Sequence, residues 1–293
     1  MSEAPVLLRK GRPEDLEAIR EFTTDTFAWG DYVPDRFLDW LGDDSGSVLV
    51  ATDEEDHPIG LVHVQKMSAR EGFLSGARVR PSHQRRGVGS LLNAAGVEWL
   101  KDNGAVVVRL TSEENNLAAR TQVEKLGYRP VARFVMAERT FERHGSEANG
   151  GRRLPGPERF DLAPVAEAEP AYMVWATGES NRSAHGLYPP EGWSFCRLGL
   201  EDLVRCARQR SLWTAPSGWA IATQDDQDLW VSLLLTTPDE ADRAVRALTD
   251  LAEEMTVEWM GVLVSRVPWL EQALAAEHLA LNYPNIVYEK TIA

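Results

Sequence analysis

The segment Gln84-Arg85-Arg86-Gly87-Val88-Gly89-Ser90 places the strongest constraint on the fold. It stands between Phe73–Arg80, whose alternation reads as a strand, and Gly87–Asp102, whose spacing reads as an amphipathic helix. Glycines at a strand-to-helix turn let the backbone approach a bound group closely. Successive N–H groups at the start of a helix form a cradle for an anion. From Gly72 to Val97 there is no acidic residue, while Arg78, Arg80, His83, Arg85 and Arg86 crowd the middle of that stretch. A basic island inside a chain of net charge -14 suits a polyanionic ligand. Two common phosphate folds are excluded. The third glycine of a dinucleotide fingerprint would fall at Leu92, and no Gly-Lys-Ser/Thr follows the glycines as in a nucleotide P-loop.

The charge is unevenly spread. Residues 1–143 hold 19 Lys and Arg against 23 Asp and Glu, a balance of -4; residues 152–293 hold 12 against 21, a balance of -9. This argues against a sequence-independent grip on nucleic acid or an anionic membrane. No run approaches the ~18 apolar residues that a membrane span needs. The acidic start leading into Val6-Leu7-Leu8 lacks the basic-then-apolar order of a signal peptide. Cys196 and Cys206 do not make a disulfide framework, and no Cys/His spacing suggests a metal. The expectation is a cytoplasmic protein with no metal, no nucleic-acid partner and no membrane partner.

At 293 residues about two domains are expected. The Gly-, Ser-, Asn- and Pro-rich stretch 144–157 reads as the linker between a domain at 1–143 and another at 158–293. The first half reads as strand Val6–Arg9, a helix opened by Pro13 with a stripe of Leu16, Ile19, Phe22 and Phe27, and a short helix with Phe37, Trp40 and Leu41. Strands Ser47–Thr52, Ile59–Val64 and Phe73–Arg80 follow, then helix 87–102, strand Val106–Leu110, helix Leu117–Leu126 and strand Arg129–Glu138. This is an α+β layout around one mixed sheet. The second half repeats the later part of that order: strand Leu229–Thr236, helix Asp239–Glu254, strand Val257–Ser265, helix Trp269–Leu279 and strand Ile286–Lys290. A diverged internal duplication is expected. The tryptophans concentrated in the second half are expected to pack its core.

Ala77-Arg78-Val79-Arg80-Pro81 followed by Gln84-Arg85-Arg86-Gly87-Val88-Gly89 and a helix resembles the acetyl-CoA loop of the GNAT acetyltransferases. Arg109-Leu110-Thr111, then Asn116-Leu117-Ala118-Ala119, then Glu124-Lys125-Leu126-Gly127-Tyr128 resembles the second signature of that family, at the matching distance. The resemblance covers residues 6–140. It implies the GNAT fold, a mixed and mostly antiparallel sheet flanked by helices; with the repeated element order, the expectation is a second, degenerate GNAT-like domain after it. It also implies acetyl-CoA as acetyl donor, held in a gap where strand 73–80 splays from strand 106–110. Ala77, Arg78 and Val79 would pair with the pantetheine, and Gln84, Arg85, Arg86, Gly87, Val88, Gly89 and Ser90 would hold the pyrophosphate. Asn116 and Ala119 complete the implied coenzyme contacts. The reaction that the resemblance implies is direct attack of a primary amine on the thioester, its oxyanion met by a backbone N–H, that of Val79.

Two catalytic positions depart from the family. Ser75 stands where many members carry a glutamate base, and Val123 where many carry a tyrosine acid. Asp31, His63, Glu71 and Glu113 are the candidate substitutes, with the first three favoured. Gly30-Asp31-Tyr32-Val33-Pro34-Asp35-Arg36-Phe37, with Trp40-Leu41, resembles the Asp-Tyr-Leu-Pro segment of histidine N-acetyltransferases, which also append a C-terminal domain. The expected reaction is N-acetylation of a small amine such as a free amino acid. Two alternatives stay open: a module that binds acyl-CoA or a metabolite without turnover, and a protein or peptide N-acetyltransferase. A homodimer stays open as well.

Overall fold

The computed structural model describes residues 5–24, 26, 30–141 and 158–292. Two compact units divide the chain. One comprises Met1–Thr111, Thr121–Arg129 and Tyr288–Ala293, and the other Ser112–Arg120 and Pro130–Val287.

The elements through the first half run β1 (Leu7–Lys10), α1 (Leu16–Thr23), α2 (Val33–Leu41), β2 (Gly46–Thr52), β3 (Pro58–Lys66), β4 (Glu71–Val79), α3 (Val88–Asp102), β5 (Val107–Glu113), α4 (Leu117–Lys125) and β6 (Arg129–Thr140). A 3-10 turn, Pro13–Asp15, leads into α1. There the Asp15 carboxylate accepts the Arg12 N–H at 2.8 Å and pairs with Arg9 at 2.7 Å. Phe27, expected on the α1 stripe, lies outside the described residues, as does the expected 144–157 linker. Strands β1 to β4 pair antiparallel in sequence order, and β4 pairs parallel with β5.

One face of this sheet packs on α1 and α2. Val48, Val50 and Leu61 close a buried cluster with Ile19, Phe22, Val33, Phe37 and Trp40. The alternation of β3 sends Leu61 and His63 to this face and Val64 to the other. On that other face α3 lays Leu92, Gly96 and Leu100 against Gly60, Val64, Gly72 and Leu74. Phe22, Phe37 and Trp40 are thus core residues, as their helical spacing predicts.

The second half runs β7 (Asp161–Leu162), α5 (Ala168–Thr177), α6 (Glu179–Ala184), β8 (Leu187–Glu191), β9 (Ser194–Arg197), α7 (Leu200–Arg208), β10 (Leu212–Ala215), β11 (Gly218–Asp225), β12 (Asp228–Leu235), α8 (Ala241–Glu254), β13 (Trp259–Ser265), α9 (Pro268–Ala276), β14 (Ala280–Leu281) and β15 (Asn285–Thr291). Its pairing senses repeat those of the first unit: β7–β10, β10–β11 and β11–β12 antiparallel, then β12–β13 parallel. Like β3–β4, β11–β12 shifts register once along its length. The recurrence therefore begins earlier than the sequence predicts, at β7 rather than at Leu229, with the β8–β9 hairpin added.

Of the tryptophans, Trp175 is buried, and Trp230 and Trp259 lie 4.7 Å apart, ring to ring. Trp213, Trp219 and Trp269 each donate Nε1–H to an oxygen of their own unit.

The units differ from a cut at 143 in three places: Ser112–Arg120 and the stretch from Pro130 fall in the second unit, and Tyr288–Ala293 falls in the first. β6 pairs antiparallel with β13, Val262 opposite Ala137, so residues 130–140 belong to the second unit. The chain's last residues complete the first. Ile292 N–H donates to Val106 O at 2.9 Å, Lys290 Nζ to Leu126 O at 2.9 Å, and Arg109 pairs with Glu289 at 2.8 Å. Strand order in the first unit is accordingly β1-β2-β3-β4-β5-β15. Each half gives its last strand to the other half's unit. Sequence order alone carries no signal of such an exchange.

Candidate acetyl-CoA and amine site

β4 is held on both edges only at its start. Glu71, Gly72 and Phe73 pair with Val107, Val108 and Arg109, and no pairing with β5 continues past Phe73. On its other edge β4 stays with β3 as far as Val79 opposite Gly60. Between Ser75–His63 and Arg78–Leu61 the register shifts, leaving Gly76 and Ala77 opposite Val62 alone. This is a β-bulge, which adds local twist and re-aims the strand. Gly76 takes φ +61, and a Cβ there would lie 2.8 Å from Trp40 Cη2. Glycine is required at that position by conformation and by space together.

The backbone beyond the bulge has a definite orientation. Arg80 N–H donates to Ile59 O at 2.8 Å, so Ile59 and Arg80 form a hydrogen-bonded pair. Bonded and non-bonded pairs alternate in an antiparallel ladder, so the N–H and C=O of Val79 point away from β3, toward the edge that β5 has left. The Val79 carbonyl accepts Gln84 Nε2 at 3.1 Å. Ala77, two residues earlier, presents its peptide groups on the same edge.

The loop that follows is built as an anion cradle. Arg85 has φ +63 and Gly87 φ +84, two left-handed residues alternating just before α3. Such alternation turns successive N–H groups inward, and the first turn of a helix adds donors with no partner inside the helix. Arg85, Arg86 and Gly87 are exposed, Val88 is buried, and Gly89 and Ser90 are half-buried. A Cβ on Gly89 would come 3.0 Å from Gln122 Nε2, so the glycine brings the α3 backbone close to α4.

The other residues singled out from the sequence take these places. Asp31 is 1% exposed at its side chain. Its Oδ2 takes Arg78 Nε at 2.6 Å, and its Oδ1 takes Arg78 Nη2 at 3.0 Å and Val33 N–H at 3.0 Å. Burial pushes its carboxyl up, but the Arg78 guanidinium and the Val33 N–H outweigh burial and hold it below the ordinary carboxylate range. The Arg78 guanidinium lies 5.5 Å over the Tyr32 ring. The Arg78 side chain is thus engaged with the α2 corner; the coenzyme contact expected of Arg78 was through its backbone. Glu71 pairs with buried Arg109 at 2.6 Å, at the closed end of the strand pair and ~13 Å up the strand from Ser75. Glu113 O accepts the Asn116 N–H, and Asn116 Oδ1 accepts the Ala119 N–H at 3.1 Å, capping α4. Those three residues belong to the second unit.

His63 is 3% exposed. Its ring stacks on Trp40 at 4.5 Å with the planes 4° apart, and its Nδ1 lies 3.0 Å from Ser75 Oγ on β4. Burial lowers its pKa to about 4, the neighbouring Asp43 opposing and Arg36 assisting. Ser75, half-buried, lies two residues past the last β4–β5 pair. Tyr128 is no substitute for the missing acid: it is buried against Asn93 Nδ2 at 3.2 Å, and burial pushes its hydroxyl up to about 12. Around His63 the structure thus gathers Ser75, read from the sequence only as a lost base position, Trp40, read as part of the α2 segment, and Asp43, which sequence reasoning passed over. Their nearness to His63 depends on the register of β3 against β4 and on where α2 ends. Among the described residues no group of three His, Cys, Asp or Glu side chains could hold a metal.

A parallel pair that splays past a bulge into an anion cradle, on a mixed sheet flanked by helices, is the GNAT fold, and the enzyme class is N-acetyltransferase. Residues 16–128 match the family model for the acetyltransferase (GNAT) family. No curated protein matches the sequence significantly. Among solved structures, the chain is similar to a GCN5-related N-acetyltransferase from Sphaerobacter thermophilus (14% identity, TM-score 0.67, 98% of this chain and 95% of that one). It is also similar to an acetyltransferase from Pyrococcus horikoshii (14%, TM-score 0.59, 100% and 91%). A third likeness is to the GCN5-related glucosamine N-acetyltransferase region of a fungal multi-domain GH3 beta-N-acetylglucosaminidase (15%, TM-score 0.65, 99% of this chain and 38% of that one).

Proposed function

We propose that the first unit transfers the acetyl group of acetyl-CoA to the primary amine of a small molecule, a free amino acid being the acceptor class, by direct attack in a ternary complex. The observation that carries this reading is the run of β4 from its bulge into the cradle. Val79 turns its N–H toward the open edge, where it can serve as oxyanion donor, and Arg85, Gly87 and the first turn of α3 follow at once. Ala77, Val79 and residues 84–90 hold the coenzyme in this reading, and Arg78 braces the α2 corner through Asp31. The Asp31-Tyr32-Val33-Pro34 segment, with its resemblance to histidine N-acetyltransferases, favours the amino-acid acceptor. The thiolate leaves without an acid at position 123, since a thiol of pKa ~8.5 is a competent leaving group near neutrality.

The second unit, in the same reading, is a diverged copy that binds no coenzyme. Where the first has its glycine loop, the second has Thr236-Thr237-Pro238-Asp239-Glu240 leading into α8. Two carboxylates and a missing N–H repel a pyrophosphate. Beyond the last β12–β13 pair, Val231–Val262, its own α6 binds the departing strand: Ser265 Oγ donates to Ser180 O at 3.1 Å, and Ser183 Oγ to Arg266 O at 2.8 Å.

The test is release of coenzyme A thiol from acetyl-CoA by the full chain, with free amino acids, polyamines and short peptides as acceptors. Turnover with amino acids alone supports the proposal, and turnover confined to peptides moves the acceptor class. Tight acetyl-CoA binding with no release in any mixture would make the chain a binding module, the reading that the loss of both family catalytic groups favours.

A further inference from the structure

His63 Nε2 is a buried polar atom that, among the described residues, has no hydrogen-bond partner. An orphaned imidazole nitrogen inside a core costs free energy, and its retention calls for an explanation such as a role in proton transfer. Its surroundings supply one. The other ring nitrogen, Nδ1, meets Ser75 Oγ at 3.0 Å, and Ser75 sits where β4 is open to the gap. On the Nε2 side lies Asp43, at the turn into β2. A Cβ built on Gly46 would stand 3.0 Å from His63 Nε2 and 3.6 Å from Asp43 Oδ2, so both atoms face the same point. Asp43 is half-exposed, its Oδ1 takes the Ser45 N–H at 2.8 Å and its Oδ2 the Ser45 hydroxyl at 2.8 Å. Burial pushes its carboxyl up, but these two donors outweigh burial and keep it ionised at neutral pH. The charged groups that act on the imidazole are Asp43 and, from α2, Arg36.

Building on the acetyl-transfer reading, we propose that Ser75, His63 and Asp43 form a relay that carries the acceptor ammonium's proton from the gap to solvent. The ammonium gives its proton to Ser75 Oγ while the Ser75 hydroxyl proton passes to His63 Nδ1. The Nε2 proton leaves toward Asp43 and the bulk. The freed amine nitrogen then forms a bond to the thioester carbonyl carbon, the C–S bond breaks, coenzyme A departs as thiolate, and that thiolate takes the second proton that the nitrogen sheds in becoming the amide. The imidazole changes tautomer and never needs to hold two protons; between turnovers Nε2 regains a proton from solvent as the Nδ1 proton passes back through Ser75 to the emptied gap. That is why a histidine whose burial disfavours the imidazolium can still move a proton. Ser75 is the catalytic residue, since it meets the amine; His63 and Asp43 act through it.

The relay requires that resting His63 carry its proton on Nε2, with Nδ1 accepting from Ser75. Nitrogen-15 NMR of the histidine rings in the full chain reads this without any acceptor. An Nε2–H tautomer whose Nδ1 resonance shifts in Ser75→Ala supports the relay, and an Nδ1–H tautomer overturns it. Kinetics give the second readout, by thiol release with the amino acid the wild type uses best. Ser75→Ala should lower kcat roughly 100-fold at pH 7, with the acetyl-CoA dissociation constant unchanged. That loss should shrink as pH rises past the amine's own pKa, where no proton has to be removed. Asp43→Asn should follow the same pH dependence. A loss of equal size at every pH is a structural effect and overturns the relay. Absence of thiol release by the wild type with every amine would instead strike the acetyl-transfer reading, with the tautomer measurement still deciding the relay.

Discussion

Removing Tyr288–Ala293 should unfold the first unit, although these residues lie 131 positions past the end of the expected 144–157 linker. The size of the effect follows from what those residues do. Tyr288 is 0% exposed and Ile292 8%, and burial of each such side chain is worth ~1.5–3 kcal/mol. Arg109, 1% exposed, lies between Glu71 at 2.6 Å and Glu289 at 2.8 Å. Breaking a buried pair costs ~3–5 kcal/mol when no partner is left, and roughly half of that with Glu71 remaining. Together these reach ~5–8 kcal/mol, against a whole-domain stability of ~5–15 kcal/mol. The truncated chain should lose the cooperative melting of its first unit in calorimetry and lose acetyl-CoA binding. The milder Glu289→Gln should cost ~1–2 kcal/mol and lower the Tm of that unit by roughly 3–8 °C. A chain ending at Arg143 that melts cooperatively and binds acetyl-CoA like the full protein would refute the reasoning.

Asp31→Asn should keep the hydrogen bond from Val33 N–H but lose the ion pair to Arg78, costing ~1–3 kcal/mol in chemical denaturation. Because the folded carboxyl is held below its ordinary value, wild-type stability from Asp31 is present above the ordinary carboxylate pKa and is lost as pH falls through the folded one; the variant should lack this acid limb. A 100-fold loss in kcat/KM with stability intact would instead make Asp31 the amine anchor. His63 titrates at about 4 in the fold against 6.5 unfolded, so falling pH protonates the unfolded chain first. Its contribution is complete above pH 6.5 and declines toward pH 4 by ~3 kcal/mol, and His63→Gln should flatten urea-unfolding free energies across that window. Gly76→Ala should cost at least ~1–2 kcal/mol from the left-handed backbone alone, and more as Trp40 is displaced from its stack on His63, read as a fall in Tm and a change in tryptophan fluorescence.

The loop proposed to hold the coenzyme was legible because it is local. Residues 77–90 carry the strand, the glycines and the arginines in one continuous stretch, and the cradle depends on backbone conformations that Gly87 announces. The acceptor half is assembled from α2, β2, β3 and β4. That His63 meets Ser75 rests on a cross-strand register with a bulge beside it, and that Glu71 is spent on Arg109 rests on the closed end of the β4–β5 pair. Sequence spacing carries neither fact. The second unit's earlier elements were missed because β7 is two residues long and the β8–β9 hairpin interrupts the repeated order. The strand exchange was missed because β6 and β15 have the same character and sequence order favours the nearer partner.

The central claim is that acetyl-CoA binds once per chain, in the cradle between β4 and α3. Isothermal titration of the full chain with acetyl-CoA tests it most directly, with Gly89→Glu alongside. That variant places a carboxylate at the α3 N-terminus, where the helix start favours an anionic ligand and the side chain would meet Gln122. The account predicts a stoichiometry of one for the wild type and no measurable binding for the variant. Two equivalent sites per chain, or a Gly89→Glu protein that binds acetyl-CoA as tightly as the wild type, would contradict it.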